Sequence, residues 1–210
     1  MESPSLERDQ TLPEDQLAIW QGEFGRAYTE RNVLDRRTRE RAFREMFAGL
    51  SLERVLEVGC NRGHNLATLA DGLGISGVFG IEPGEHALEL ARTASPRAFA
   101  LPGRAEALPF RDQWFDLVFT CGVLIHVPPA GLDAALAEIV RCSRRYVLAI
   151  EYFAQEETRI DYRGHSELLW KRDYASEYCR RHPGLRVLKQ GYLDVADGFD
   201  RSSWWLFERS

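Results

Sequence analysis

The chain has 210 residues, 44% hydrophobic and 28% charged, with a formal net charge of -5, which fits one α/β domain with a single buried core. An acidic balance argues against a nucleic-acid binder, which needs a basic face for phosphates, and no run nears the ~18 apolar residues of a membrane span. Four scattered cysteines (Cys60, Cys121, Cys142, Cys179) lack C-x-x-C spacing, the histidines lack metal-ligand spacing, and the polar stretch Met1–Asp15 has no apolar signal core. The expectation is a cytoplasmic protein with reduced thiols and no metal, partnered by a small-molecule substrate and not by nucleic acid or membrane, as a monomer or homodimer.

Residues 1–12 read as disordered, and 13–210 as one domain whose first part, 13–50, is helical. Leu17, Ile19, Trp20, Phe24 and Tyr28 give a loose helical pattern from Pro13 to Tyr28. A second helix is expected over Val33–Phe47. Its Arg36, Arg37, Arg39, Arg41 and Arg44 alternate with acids as on a solvated face. Strand and helix then alternate. Arg54–Val58 is a buried strand, followed by Gly59–Gly63 and a helix through Leu66, Leu69 and Ala70. Val78–Ile81 is a second strand, ending at Glu82 before a helix through Leu88 and Ala91. Ala98–Leu101, Phe115–Thr120 and Tyr146–Ile150 are further strands, with a helix over Ala130–Cys142. An irregular stretch leads to a helix over Asp173–Arg181 and closing strands at Arg186–Leu193 and Ser203–Phe207. Such alternation predicts a mostly parallel sheet covered on both faces, with its ligand beyond the carboxyl ends of the strands.

Glu57-Val58-Gly59-Cys60-Asn61-Arg62-Gly63 stands at that position. Gly59 and Gly63 permit a tight turn and close ligand approach, and Asn61 is the next most tolerant residue for a left-handed backbone. Glu82, nineteen residues beyond Gly63, is placed to accept hydrogen bonds from both ribose hydroxyls. A dinucleotide would want G-x-G-x-x-G beneath its pyrophosphate. The order here is Gly-x-Asn-x-Gly, and Glu57 would repel a pyrophosphate. S-adenosylmethionine brings a cationic sulfonium and an ammonium instead, which acidic strand ends suit.

Val55–Gly63 resembles motif I of the class I S-adenosylmethionine-dependent methyltransferases, and Glu82 resembles their ribose-binding acid. Gly103-Arg104-Ala105-Glu106-Ala107-Leu108-Pro109-Phe110 and Trp114–Val118 resemble their adenine loop and fourth strand. Arg104 stands where many relatives have Asp, so Ala105 and Glu106 are the adenine candidates. Over residues 18–208 the resemblance narrows. Trp20-Gln21-Gly22-Glu23-Phe24-Gly25, Tyr28-Thr29, Arg31-Asn32, Gly59-Cys60-Asn61, Gly122–His126, Glu151-Tyr152, Tyr162-Arg163-Gly164-His165 and Lys171-Arg172-Asp173 are similar to the pseudaminic-acid-biosynthesis-associated methylases. Sequences of that group also resemble the azetidine-2-carboxylate synthases.

The resemblance implies a Rossmann-like fold with a seven-stranded, mostly parallel sheet, helices on both faces and an N-terminal helical cap. It implies S-adenosylmethionine at Tyr28, Arg31, Glu57, Gly59, Asn61, Gly63, Glu82, Ala105, Glu106 and Cys121. Methyl transfer mainly needs a positioned nucleophile and a dry site, sometimes with a base. His126 after the fourth strand, Glu151 and Tyr152 ending the fifth, and His165 on a polar loop are the catalytic candidates. Trp20, Phe24, Tyr162 and Arg163 are the substrate candidates. The expected activity is methyl transfer to a small polar acceptor, a nonulosonic-acid-type sugar or an amino-acid-derived metabolite. The alternative is intramolecular cyclisation of S-adenosylmethionine to azetidine-2-carboxylate and 5'-methylthioadenosine.

Overall fold

A computed structural model of the protein describes residues 13–33 and 36–210; the expectation for residues 1–12 lies outside them. The first expected helix divides in two, α1 (Pro13–Gln21) and α2 (Glu23–Arg31). Gly22 takes an extended backbone between them. A Cβ on Gly25 would sit 1.8 Å from the Trp20 carbonyl oxygen, so α2 crosses the end of α1 at a distance only glycine allows. The next helix, α3 (Arg36–Met46), is shorter than expected.

Strand β1 (Arg54–Val58) is buried along most of its length. Asp116 fixes its start by accepting hydrogen bonds from the backbone N–H groups of Glu53 and Arg54 at 2.8 and 2.9 Å. Helix α4 (His64–Ala67) runs into a π-helical turn (Thr68–Gly72). Then follow β2 (Gly77–Glu82), α5 (Glu85–Ala94), β3 (Phe99–Pro102), β4 (Phe115–Cys121) and a single 3-10 turn (Leu124–His126). Helix α6 (Pro129–Cys142) begins with proline, where its missing N–H costs nothing. After β5 (Ser143–Glu151), two short strands, β6 (Thr158–Arg159) and β7 (Trp170–Lys171), pair antiparallel within the stretch expected to be irregular. Helix α7 (Tyr174–Arg181) is capped by Asp173, whose Oδ1 accepts from Ser176 N at 3.1 Å. The chain closes with β8 (Leu185–Leu193) and β9 (Ser202–Arg209).

Among the described residues, seven strands form one sheet in the order β3-β2-β1-β4-β5-β9-β8. The first five pair in parallel, and β9 joins β5 and β8 antiparallel. Alternate strand residues feed two cores. Leu56, Val58, Val118 and Val147 face Leu136, Ile139 and Tyr178 of α6 and α7, while Val55, Leu117, Phe119 and Leu148 face Phe43, Leu66 and Leu88 of α3, α4 and α5. Helices on both faces leave the strand ends as the open surface. Order reverses between β1 and β4, so their carboxyl ends diverge there and leave a crevice.

Candidate active site

A cleft of about 620 Å³ lies beyond the ends of β1, β2 and β4, roofed by α1 and α2. Its inner half is the glycine turn. The N–H groups of Gly59 and Cys60 both donate to the Ile81 carbonyl, at 2.7 and 2.9 Å, which pins the turn to β2. Gly59 has φ +74°, and a Cβ there would meet the Val123 side chain at 2.5 Å. Asn61 takes φ +45° as its residue type allows, and its Oδ1 accepts from Arg62 N. Gly63 differs from expectation. It does not line the cleft; with φ +78° and its Cα facing the Ala91 backbone, it lets α4 pack against α5.

Glu82 ties the inner half together. One carboxylate oxygen accepts from Asn61 N and the other from Gly84 N, each at 2.9 Å. Burial pushes its carboxyl up to about 7, against the pull of those two N–H groups. Glu57 lies deeper: one oxygen accepts from Asn65 Nδ2 at 2.6 Å, and the other is buried without a hydrogen-bond partner among the described residues. Burial pushes Glu57 up to about 8, opposed by Asn65 and Arg39. Asn65 passes the contact on, because its Oδ1 accepts from Arg39 Nη1 at 2.7 Å. Arg39 also donates to the Gly198 carbonyl at 2.8 Å and stacks on Phe199. The helix bearing Arg39 is therefore not a plain solvated face. Arg41 and Arg44 do lie on its outer side, paired with Asp197 and Glu40. Arg39, Asn65 and Asp200 are cleft residues that the sequence reading missed. Only the direction each side chain takes reveals them.

Ala105, Glu106 and Cys121 line the cleft, with the Cys121 thiol pushed up to about 11 by burial. Arg31 lines it from the exposed end of α2.

The outer half is aromatic. Trp20 meets Tyr28 edge-on at 5.3 Å and His126 at 4.6 Å, and His126 meets Tyr162 at 5.5 Å. His126 Nδ1 bonds the Leu168 carbonyl, and burial pulls the ring down to about 4. A neutral ring donating from Nδ1 keeps its lone pair on Nε2. Tyr152 donates its hydroxyl to Asp200 at 2.6 Å, and Arg163 lies over the Tyr162 ring. Trp20, Tyr28, His126, Tyr152, Tyr162, Arg163 and Asp200 all line the cleft.

Three expectations need correction. Glu151 is fully buried and outside the cleft, accepting the N–H groups of Val123, Leu124 and Ile125 at 3.2 Å. It caps the 3-10 turn that carries His126. His165 is exposed outside the cleft, its ring 5.2 Å from Phe24. Phe24 also stays behind the lining and packs on Trp20, Tyr162 and His165. Both brace the roof from outside.

This geometry, a doubly covered parallel sheet with a glycine turn after β1 and an acid ending β2, is a Rossmann-like fold of the kind seen in solved methyltransferase structures. Residues 55–145 match the model of a methyltransferase-domain family. No curated protein matches the sequence. Among solved structures, the chain is similar to Burkholderia thailandensis 1,6-didemethyltoxoflavin-N1-methyltransferase, described with bound 1,6-didemethyltoxoflavin and S-adenosylhomocysteine. The TM-score is 0.72 at 15% identity, covering 100% of this chain and 93% of that one. It is also similar to Haemonchus contortus phosphoethanolamine N-methyltransferase 1, in complex with phosphoethanolamine and S-adenosylhomocysteine, with TM-score 0.71, 15% identity and coverage of 95% and 50%. The cyclase SpnF aligns with TM-score 0.59, 17% identity and coverage of 81% and 79%. Among the described residues, no helix is long and apolar enough to cross a membrane.

Proposed function

We propose that the protein is an S-adenosylmethionine-dependent methyltransferase acting on a small polar acceptor. The observation that carries this reading is the pair of buried carboxylates on the cleft floor. Among the described residues one Glu57 oxygen has no hydrogen-bond partner, and burial raises both Glu57 and Glu82. Carboxylates so placed are relieved by a cationic ligand and opposed by a pyrophosphate. The bound S-adenosylhomocysteine of the two methyltransferase neighbours supports the same assignment.

In this reading Glu82 holds the ribose, Ala105 and Glu106 flank the adenine, and Glu57 and Arg39 face the amino-acid end, with Tyr28 and Arg31 above it. When bound, S-adenosylmethionine supplies an electrophilic methyl group. The protein's own work is to orient the acceptor and exclude water. Trp20, Tyr28, Tyr152 and Tyr162 provide the apolar walls, and the neutral His126 offers Nε2 as a hydrogen-bond acceptor. The resemblance to the pseudaminic-acid-associated methylases keeps two acceptor classes in view, a nonulosonic-acid-type sugar and an amino-acid-derived metabolite.

The same aromatic walls favour one further reading, cyclisation of S-adenosylmethionine on itself to azetidine-2-carboxylate. A dry pocket keeps an amine neutral and nucleophilic. Incubation with S-adenosylmethionine alone, followed by mass spectrometry, separates the two. The methyltransferase reading expects S-adenosylhomocysteine only when an acceptor is added. Enzyme-dependent 5'-methylthioadenosine from the cofactor alone overturns it in favour of the cyclase.

A further inference from the structure

The two halves of the cleft offer a ligand opposite kinds of contact. In the outer half two hydrogen-bond donors are already spent. The Tyr152 O–H is given to Asp200, and the His126 Nδ1–H to the Leu168 carbonyl. Beside Arg163 at the Tyr162 ring, the half then offers electron-rich groups: the Tyr152 oxygen, His126 Nε2, the second Asp200 oxygen and the faces of four aromatic rings. These groups share a small volume. Burial, the Asp200 carboxylate and then Tyr28 and Tyr162 all hold the Tyr152 phenol above its ordinary range.

Two further facts point the same way. Arg163 lies 5.6 Å from the Tyr162 ring centre, and Lys171 lies 5.8 Å from that of Tyr152, so these rings already draw cations from the rim. Asp200 is exposed at the mouth and, among the described residues, pairs with no Lys or Arg. Its neighbour Arg201 turns to Asp194 instead. An unpaired carboxylate beside aromatic faces is the usual setting for an organic ammonium group.

We propose that the outer half of the cleft is a cation-binding pocket, and that the acceptor is held there by an amine or ammonium group set against Asp200 and the rings of Tyr28, Tyr152 and Tyr162. This rests on the inner half being the S-adenosylmethionine site. It selects between the two acceptor classes above, because an anionic sugar acid is repelled by the Asp200 carboxylate while an amine-bearing metabolite satisfies it.

The test is a binding measurement with three probes: tetramethylammonium, neopentyl alcohol as its neutral counterpart, and acetate. Each is titrated into the protein with and without saturating S-adenosylhomocysteine. Saturable binding of tetramethylammonium alone is expected, weakened about threefold in Asp200→Asn, the size of an exposed ion-pair contact. Tyr152→Phe, which keeps the ring and frees Asp200, should weaken it less. Equal binding of the alcohol, preference for acetate, no binding of tetramethylammonium, or an unaltered Asp200→Asn overturns the proposal. Failure of S-adenosylhomocysteine to bind overturns the cofactor assignment instead, and the titrations without it still decide the cation pocket.

Discussion

The inner and outer halves of the cleft are built on different principles. The inner half is backbone geometry: a glycine turn, two N–H groups on one carbonyl, and a carboxylate clasped by the N–H groups of Asn61 and Gly84. These features all come from residues 59–84, so local chemistry fixes them, while Arg39 joins from α3 through Asn65. The outer half is convergence: Trp20 and Tyr28 from the roof, His126 after β4, Tyr152 and Tyr162 after β5, and Asp200 before β9. No two of those segments are neighbours in the chain, and only the finished fold assembles them. Backbone sites of the first kind suit a ligand common to many proteins, whereas side-chain sites of the second kind are where one substrate is distinguished from another.

The comparison can be broken most forcefully at its joints. Gly63→Val forces a branched side chain into a left-handed backbone against Ala91 Cα, where even a Cβ would lie 2.9 Å away. We expect a loss of about 3 kcal/mol or more in stability by denaturant titration. An unchanged midpoint contradicts the packing role assigned to Gly63. Next comes Glu151→Ala, which strands three backbone N–H groups under the His126 turn. About 2–3 kcal/mol of stability should go, with S-adenosylhomocysteine affinity largely kept. A variant as stable as the parent but without activity would return Glu151 to catalysis.

The inner half should also respond to pH. Glu57 and Glu82 sit near 8 and 7 when folded, against an ordinary 4.5. Between those values the folded protein binds more protons than the unfolded chain, so stability falls as pH rises. Their contribution is fully present below about pH 4.5 and is lost as pH climbs through 7 and 8. Cofactor binding should release protons across the upper window, measured by calorimetry in buffers of different ionisation enthalpy. Glu57→Gln should flatten both effects, and a parent protein without proton release contradicts the carboxylate account. The smallest effect is expected at Arg31, exposed at the end of α2. There Arg31→Ala should alter stability by no more than about 0.5 kcal/mol and reduce cofactor affinity only slightly. A large affinity loss would make Arg31 a principal contact.

The division between halves also explains what could be read without coordinates. Punctuation by Gly59, Gly63 and Glu82 at the ends of apolar strands placed the sheet and the cofactor turn, because period and turn chemistry are local signals. Asn61 was legible for the same reason. Arg39 was not: on a helix crowded with arginines, burial of one depends on Asn65 and Gly198, which lie far along the chain. Glu151 stands at the right strand end but turns under the loop that follows β4, where it accepts three N–H groups. Asp200 became visible only through the hydroxyl of Tyr152. The break at Gly22 and the short β6–β7 ribbon were missed because neither carries a periodic pattern long enough to detect.

The central claim is that the cleft floor is an S-adenosylmethionine site organised by Glu82. Calorimetric titration of the parent and of Glu82→Ala with S-adenosylhomocysteine, and of the parent with NAD, tests it most directly. Saturable binding of S-adenosylhomocysteine is predicted, weakened by about 1.5–3 kcal/mol in the variant, with none for NAD. Tight NAD binding, or equal affinity of parent and variant for S-adenosylhomocysteine, would contradict it.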